Sequence, residues 1–149
     1  MRCVLQRVTQ AHVDVDGQTV GRIGSGLMVL IGVSEDDSDA DLEYMARKVP
    51  DIRVFDDADG VMNLSVREAG GSILAVSQFT LYGDARKGRR PSYSHAAKPE
   101  AANAMYERLV QAWRDQGLQV ETGIFRTEMQ VSLTNDGPVT ILLDSGKSF

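Results

Sequence analysis

Residues 129–145 read MQVSLTNDGPVTILLDS, and this stretch decides how the last third of the chain folds. Residues 129–133 and 139–144 both have the β-branched and apolar content that is typical of strands. Residues 135–138 interrupt that pattern. Asn-Asp-Gly favours a hairpin turn, because glycine adopts positive φ without steric cost. Pro138 argues against a plain hairpin, since it removes an N–H from the return strand.

The length of 149 residues is that of one ordinary domain, and we expect a single domain over residues 1–149. The longest apolar run, residues 27–33, is too short to cross a bilayer. The amino terminus lacks an apolar signal region with a cleavage site. We therefore expect a cytoplasmic protein with no membrane partner.

Few residues are of the types that bind metals. The single cysteine, Cys3, cannot form an internal disulfide, which fits a reducing compartment. His12 and His95 stand far apart with no further ligands near either. The acidic stretches 35–41 and 56–60 lack the ligand spacing of an EF-hand. We expect no metal site and no cofactor.

The formal net charge of −5 argues against a protein that coats nucleic acid indiscriminately, because neutralising phosphates needs a broad positive field. It leaves room for a local basic site. Four of the 16 lysines and arginines fall within residues 85–92, ARKGRRPS. The positive charge is therefore concentrated beside whatever precedes that loop.

Alternating apolar residues predict a long first strand over residues 2–15, followed by a turn at Asp16-Gly17. Residues 27–33 are almost continuously apolar, which predicts a central strand. Further strands are predicted over residues 19–23, 52–55, 72–79 and 119–122.

Two helices are predicted. Ser38 and Asp41 form a capping pattern, and apolar residues follow at helical spacing over residues 39–49 until Pro50. A second helix begins at Pro99 and is closed by Gly117, with an apolar face that packs in the core. Together these elements predict an α+β fold with two helices and a curved, largely antiparallel, barrel-like β-sheet.

The common catalytic signatures are missing. There is no P-loop, GxGxxG or HExxH motif. The serine in GSG at residues 24–26 lacks the flanking spacing of a nucleophile elbow. Cys3 is more typical of a small buried residue than of a thiol nucleophile.

Residues 72–93 read SILAVSQFTLYGDARKGRRPSY and carry the strongest indication of a site. An apolar strand ends in Ser77, Gln78, Phe79 and Thr80, and a basic loop follows. Polar groups at a strand end beside a cationic loop can hold an anionic ligand. The same hydroxyls can instead satisfy neighbouring backbone groups, with the arginines as a solvated face. The residues alone leave both interpretations open.

SQFTLYGDARKGRRPS at residues 77–92 and NDGPVT at residues 135–140 together resemble the D-aminoacyl-tRNA deacylase family, enzymes that hydrolyse D-amino acids from mischarged tRNA. The resemblance covers essentially the full length of the chain. It departs after Phe125, where the family usually has Gly and Ala and this chain has Arg126 and Thr127. Further matching segments are QRV at residues 6–8, VGRIGSGLMVLIGV at 20–33 and MQVSL at 129–133.

The resemblance implies a set of site residues. The catalytic pocket for the terminal adenosine and its aminoacyl group would be lined by Ser77, Gln78, Phe79 and Thr80. Phe125 and Met129 would bind the substrate in the same pocket. The tRNA itself would be held near its acceptor end by Lys87, Arg89 and Arg90.

The resemblance also implies a homodimer with an active site at each subunit boundary. Gly137 and Pro138 of the second subunit would enter the pocket through a cis peptide bond. Their carbonyl oxygens would then exclude an L-side chain while a D-side chain points to solvent. Arg7 would brace this motif, whereas from the strand pattern alone it could be an exposed charge.

Hydrolysis of an activated ester needs backbone N–H donors for the oxyanion and a positioned water. The donors would be the amides around Phe79 and Thr80, and the 2′-hydroxyl of the terminal ribose would orient or activate the water. The hydroxyl of Thr80 would serve as a nucleophile only with an adjacent base, and His95 is the one nearby candidate. Many D-amino acids, and glycine to some extent, would be accepted.

Two other functions fit some of these features. A module that binds RNA ends would explain the basic loop. A small-molecule esterase would explain a pocket at a strand end. Deacylation of D-Tyr-tRNA but not L-Tyr-tRNA distinguishes the deacylase from both. We expect tRNA as the nucleic-acid partner, and no DNA.

Overall fold

One long strand, β1 (Arg2–Val15), organises the fold because three other strands pair with it. The computed structural model describes residues 1–149. Antiparallel pairing joins β1 to β2 (Gln18–Ile23), to β3 (Gly26–Gly32) and to the last strand, β8 (Gln130–Asp144). The predicted first strand and its turn are confirmed.

The rest of the sheet is parallel. β6 (Ser72–Ser77) pairs with β3, and β7 (Val120–Thr122) pairs with β6. A separate antiparallel pair is formed by β4 (Phe55–Asp56) and β5 (Met62–Leu64). The sheet is therefore mixed, and antiparallel pairings predominate as expected.

The main sheet has the order β2-β1-β3-β6-β7, and its two ends approach each other. β3 lies in the middle, which confirms the central strand predicted for residues 27–33. Gly21 of β2 faces β7 so closely that a Cβ atom at this position would lie 2.3 Å from the carbonyl oxygen of Thr122. The curved sheet nearly closes into a barrel at this glycine.

Two helices, α1 (Asp39–Asp51) and α2 (Pro99–Asp115), cover one face of the sheet. Neither helix combines the length and apolarity that crossing a bilayer requires. Their apolar faces join the strands in one core. Side chains in that core include Leu5, Leu27, Met45, Val49, Ile73, Leu109 and Trp113.

The helix α1 runs through Pro50, so the prediction that it ends at residue 49 is wrong by two residues. Proline has no N–H to donate to the carbonyl of Ala46, one turn earlier. The side chain of Gln116 replaces that donor, because its Nε2 lies 3.0 Å from the Ala46 oxygen. The predicted capping box of Ser38 and Asp41 is present at the other end.

Two predicted strands are shorter in the structure. Only Phe55 of the range 52–55 is in a strand, and the carbonyl of Val54 accepts from the Arg7 guanidinium at 2.7 Å instead of pairing with a neighbouring strand. The strand predicted over residues 72–79 ends at Ser77, because Phe79–Tyr82 form a 3-10 turn.

The hairpin interpretation of residues 135–138 is wrong. β8 is one strand, and both of its halves pair with β1: Val131 lies opposite Val13, and Ile141 opposite Leu5. Pairing shifts between these points, because Thr140 faces Gln6 whereas Asn135 faces Val8. Residues 136–139 therefore project from the ladder, and we call them the 136–139 bulge.

Side chains at the base stabilise the 136–139 bulge. The Oδ1 of Asn135 accepts from the N–H of Val139 at 3.0 Å, and its Nδ2 lies 3.0 Å from the Thr140 hydroxyl. Gly137 has a φ of +123°, which side-chain-bearing residues rarely adopt. The Gly137-Pro138 peptide bond is cis. A proline without an N–H fits here because no ladder bond is required of it.

We predict that Gly21→Ala lowers the free energy of unfolding by about 1–3 kcal/mol, because the new methyl group overlaps the Thr122 carbonyl. Chemical denaturation of both variants measures the difference. Gly24→Ala is the matched control: Gly24 has open space around it, and the expected change is within about 0.5 kcal/mol. Equal stability of the two variants would contradict the barrel closure described above.

Candidate active site

A cavity of about 750 Å³ opens where the parallel strands β3 and β6 end. Ile31 and Val33 contribute from the end of β3, and Val76 and Ser77 from the end of β6. Crevices at the carboxyl ends of parallel strands are common ligand sites, because neighbouring chain segments diverge there. We call this space the main cavity.

Three of the predicted catalytic residues, Ser77, Gln78 and Phe79, line the main cavity, and Thr80 does not. The N–H of Gln78 donates to the Ile31 carbonyl at 2.7 Å, which holds the turn at the end of the sheet. The Nε2 of Gln78 donates to the Thr80 hydroxyl. Thr80 therefore lies beside the cavity and is exposed.

Phe125 and Met129, predicted to bind substrate, line the same cavity. The Phe125 ring lies 6.3 Å from the Tyr106 ring of α2, which ties this wall to the helix. Arg126 and Thr127 stand between them on the cavity lining. The resemblance predicted that Ser77–Phe79 share one pocket with Phe125 and Met129. The structure places both segments on the lining of the main cavity.

Sequence reasoning missed part of the wall. Tyr93 lines the main cavity and packs edge-on against Phe79, with ring centroids 5.1 Å apart. Lys98, Pro99 and Ala102, at the start of α2, line the opposite side. The helix start was predicted, but only as a fold feature. A helix that follows a parallel strand begins near the strand's carboxyl end, and this rule would have indicated the location.

The lining of the main cavity offers no carboxylate, imidazole or thiol that could act as a general base. No Asp, Glu, His or Cys is among its lining residues. His95, the candidate partner for Thr80, instead lines a second cavity of about 470 Å³. Its Nδ1 lies 3.8 Å from the Glu35 carboxylate. The Thr80 hydroxyl has its side-chain hydrogen bond with Gln78 and none with a histidine or a carboxylate.

Cys3 is buried in the core and lines neither cavity. Burial raises the pKa of its thiol to about 12. A thiol that stays protonated is a poor nucleophile. The interpretation of Cys3 as a small buried residue is confirmed.

Arg7 is buried, with 8% of its surface exposed, which contradicts an exposed strand charge. Its Nε donates to the carbonyl of Asp136 at 3.1 Å, and its Nη1 donates to Val54 at 2.7 Å. Gly137 and Pro138 are exposed and do not line the main cavity of their own chain. The buried guanidinium thus holds the base of the 136–139 bulge.

The basic loop divides into one paired and three unpaired cations. Arg86 binds the Asp84 carboxylate, with Nη2 and Oδ2 2.6 Å apart. The hydrogen bond from Arg86 holds the pKa of Asp84 well below its usual range. Lys87, Arg89 and Arg90 are exposed and form no ion pair. Their charges are free to meet an external anion.

Known proteins resemble this chain over its whole length. The family model described as "D-Tyr-tRNA(Tyr) deacylase" matches residues 4–144. A D-aminoacyl-tRNA deacylase of Desulfitobacterium hafniense is 58% identical, with 100% of both chains covered. That of Thermosipho africanus is 57% identical, again with 100% of both chains covered.

Two solved structures share the fold. The first is titled "c-Myc DNA Unwinding Element Binding Protein" and has a TM-score of 0.92 at 40% identity, covering 97% of this chain and 98% of the other. The second is that of a probable eukaryotic D-amino acid tRNA deacylase, with a TM-score of 0.82 at 22% identity, covering 95% and 97%. Because the family model and the full-length relatives agree, the chain belongs to the D-aminoacyl-tRNA deacylase family and is a hydrolase that acts on aminoacyl-tRNA.

Proposed function

We propose that the main cavity receives the 3′-terminal adenosine of D-aminoacyl-tRNA together with its aminoacyl ester. The main support is that Ser77–Phe79 line the same cavity as Phe125 and Met129. No acidic, histidine or cysteine side chain lines that cavity. Apolar walls with a few polar groups suit a nucleoside. The ester is activated already, so its hydrolysis does not require a side-chain nucleophile.

Backbone groups supply the electrostatic stabilisation in this proposal. Phe79 and Thr80 are the first residues of the 3-10 turn, so their N–H groups have no acceptor within it. Both amides donate to the oxygen that becomes negative as water attacks the ester carbonyl. The 2′-hydroxyl of the terminal ribose orients that water. Ser77 and Gln78 position the substrate.

Chirality is controlled in this proposal by a second copy of the chain. Gly137 and Pro138 of the partner subunit enter the main cavity and present main-chain carbonyls where an L-side chain would lie. The bulge is suited to this role because it is exposed yet anchored on the buried Arg7. A D-side chain points to solvent, so many D-amino acids are accepted. Glycine has no side chain to be rejected and is hydrolysed to some extent.

The free edge of β8 supports a homodimer. β8 has 15 residues and pairs only with β1, so its other edge is unpaired. Leu142 on this strand is 57% exposed. A long unpaired edge with apolar side chains is a ready template for pairing with another chain. We propose that a second copy of this chain covers this edge. We also propose that the protein acts in the cytoplasm.

The three unpaired cations of the basic loop, Lys87, Arg89 and Arg90, contact phosphates near the acceptor end of the tRNA in this proposal. Their exposure and lack of partners support that role. A 2′-hydroxyl requirement makes RNA, and not DNA, the substrate.

We predict that Thr80→Ala retains at least about a third of the deacylation rate, because the backbone amide and not the hydroxyl acts on the ester. A D-Tyr-tRNA with a 2′-deoxy terminal adenosine and the amino acid on the 3′-oxygen is expected to lose about a hundredfold or more. Single-turnover rates on D-Tyr-tRNA measure both.

The matched control for that experiment is L-Tyr-tRNA, which the wild-type chain is expected to leave intact. Loss of activity in Thr80→Ala together with full activity on the deoxy substrate would restore Thr80 as the nucleophile. Binding without turnover would favour an RNA-end module. Hydrolysis of small esters regardless of tRNA would favour an esterase.

We predict that Arg7→Met reduces the ratio of D- to L-Tyr-tRNA deacylation by about tenfold or more, because the Asp136 carbonyl loses its donor and the bulge shifts. The kcat/KM values for the two substrates give the ratio, at a temperature where the variant is folded. Arg22→Met is the matched control, since Arg22 is an exposed arginine of β2 without an ion pair. An unchanged ratio in Arg7→Met would contradict the bracing role.

We predict that replacing Lys87, Arg89 and Arg90 together by methionine weakens tRNA binding and reduces the slope of log affinity against log salt by about two. A titration of affinity between low and moderate salt measures the slope. Replacing Arg47 by methionine removes an exposed charge on α1 and is expected to leave the slope unchanged. A triple variant with the wild-type slope would remove the loop from the tRNA interface.

A further inference from the structure

The main cavity carries positive charge without any negative charge to balance it. Lys98 and Arg126 are the two basic residues of its lining, and no Asp or Glu lines it. Both are exposed, and neither takes part in an ion pair or a side-chain hydrogen bond. The chain has a formal net charge of −5, so the charge of this cavity lining is opposite in sign to that of the whole chain. A bound anion would be attracted there.

The backbone fixes the points from which the side chains of these two residues extend. Lys98 immediately precedes α2, and its carbonyl accepts from the N–H of Ala102 at 2.9 Å. Arg126 has a φ of +62°, a left-handed conformation that is uncommon for residues other than glycine. The turn around it is closed by the Thr127 hydroxyl, which donates to the Ile124 carbonyl at 2.9 Å.

Acidic residues close in the sequence do not neutralise the pair. Glu100 follows Lys98 by two residues, and Glu128 follows Arg126 by two. Neither glutamate lines the main cavity, and neither forms an ion pair. The ammonium and the guanidinium are therefore both available to a ligand in the cavity. A guanidinium can bind two oxygens of one oxyanion at once, and an ammonium adds a third donor.

We propose that Lys98 and Arg126 form an oxyanion-binding subsite of the main cavity, which recognises a negative group carried by the substrate next to its neutral adenosine ester. The proposal rests on the proposed function, since it places the substrate in that cavity. The group with the required chemistry is the phosphodiester on the 5′ side of the terminal adenosine, because the D-side chain points to solvent in the proposed function.

The test measures binding of stable analogues in which an amide replaces the ester between D-tyrosine and the 3′ position of adenosine. One analogue has a free 5′-hydroxyl and one carries a 5′-methyl phosphate. A second pair carries D-aspartate or D-asparagine with a free 5′-hydroxyl. Calorimetry gives the Kd of each for the wild-type chain, for Lys98→Met/Arg126→Met, and for Arg47→Met/Lys48→Met, which removes the same charge from the exposed part of α1.

If the phosphodiester occupies the subsite, the 5′-methyl phosphate tightens binding about tenfold or more in the wild type and in the α1 control, and the gain disappears in Lys98→Met/Arg126→Met. That result supports the subsite. The D-aspartyl and D-asparaginyl analogues are expected to bind equally, because their side chains point to solvent. A preference for D-aspartate that disappears in Lys98→Met/Arg126→Met would overturn the assignment of the subsite to the phosphodiester.

Binding of the neutral D-tyrosyl analogue without either preference overturns the subsite and leaves the proposed function standing. A preference that persists in Lys98→Met/Arg126→Met overturns it as well, because other groups would then bind the anion. If the wild-type chain binds none of the four analogues, the placement of the substrate in the main cavity fails and the subsite fails with it.

Discussion

The guanidinium of Arg7 joins the 136–139 bulge to the segment that precedes β4. From the middle of β1 it donates to the carbonyl of Asp136 and to that of Val54. Both are carbonyls outside regular strand pairing, and buried or half-buried carbonyls need a donor. Arg7 therefore holds the interruption of β8, with its exposed Gly137-Pro138, against the segment that leads into β4.

The lining of the main cavity contains no dyad or triad of side chains of the kind that many hydrolases use. Its two basic residues, Lys98 and Arg126, attract anions. The polar groups nearest the ester in the proposed pose are main-chain amides and the Ser77 and Gln78 side chains. A substrate that brings its own hydroxyl group complements such a site, and aminoacyl-tRNA does so.

Sequence reasoning recovered the elements whose patterns are local. Hydrophobic periodicity predicted β1 and β3. Together with the capping residues, Pro99 and Gly117, it also predicted the start of α1 and the span of α2. It failed where a tertiary contact replaced a local rule. Gln116 supplies the donor that Pro50 lacks, so α1 continues, and both halves of β8 pair with β1, so Asn-Asp-Gly does not reverse the chain.

The same division holds for the site. The motifs predicted site residues that line the main cavity, namely Ser77–Phe79, Phe125 and Met129. Tyr93 and Lys98 were missed because only packing brings them there. Under the proposed mechanism, the oxyanion donors are peptide groups of Phe79 and Thr80, which every residue except proline possesses. Substituting either residue by anything but proline therefore leaves the donors in place, whereas an insertion or deletion in β6 would displace them.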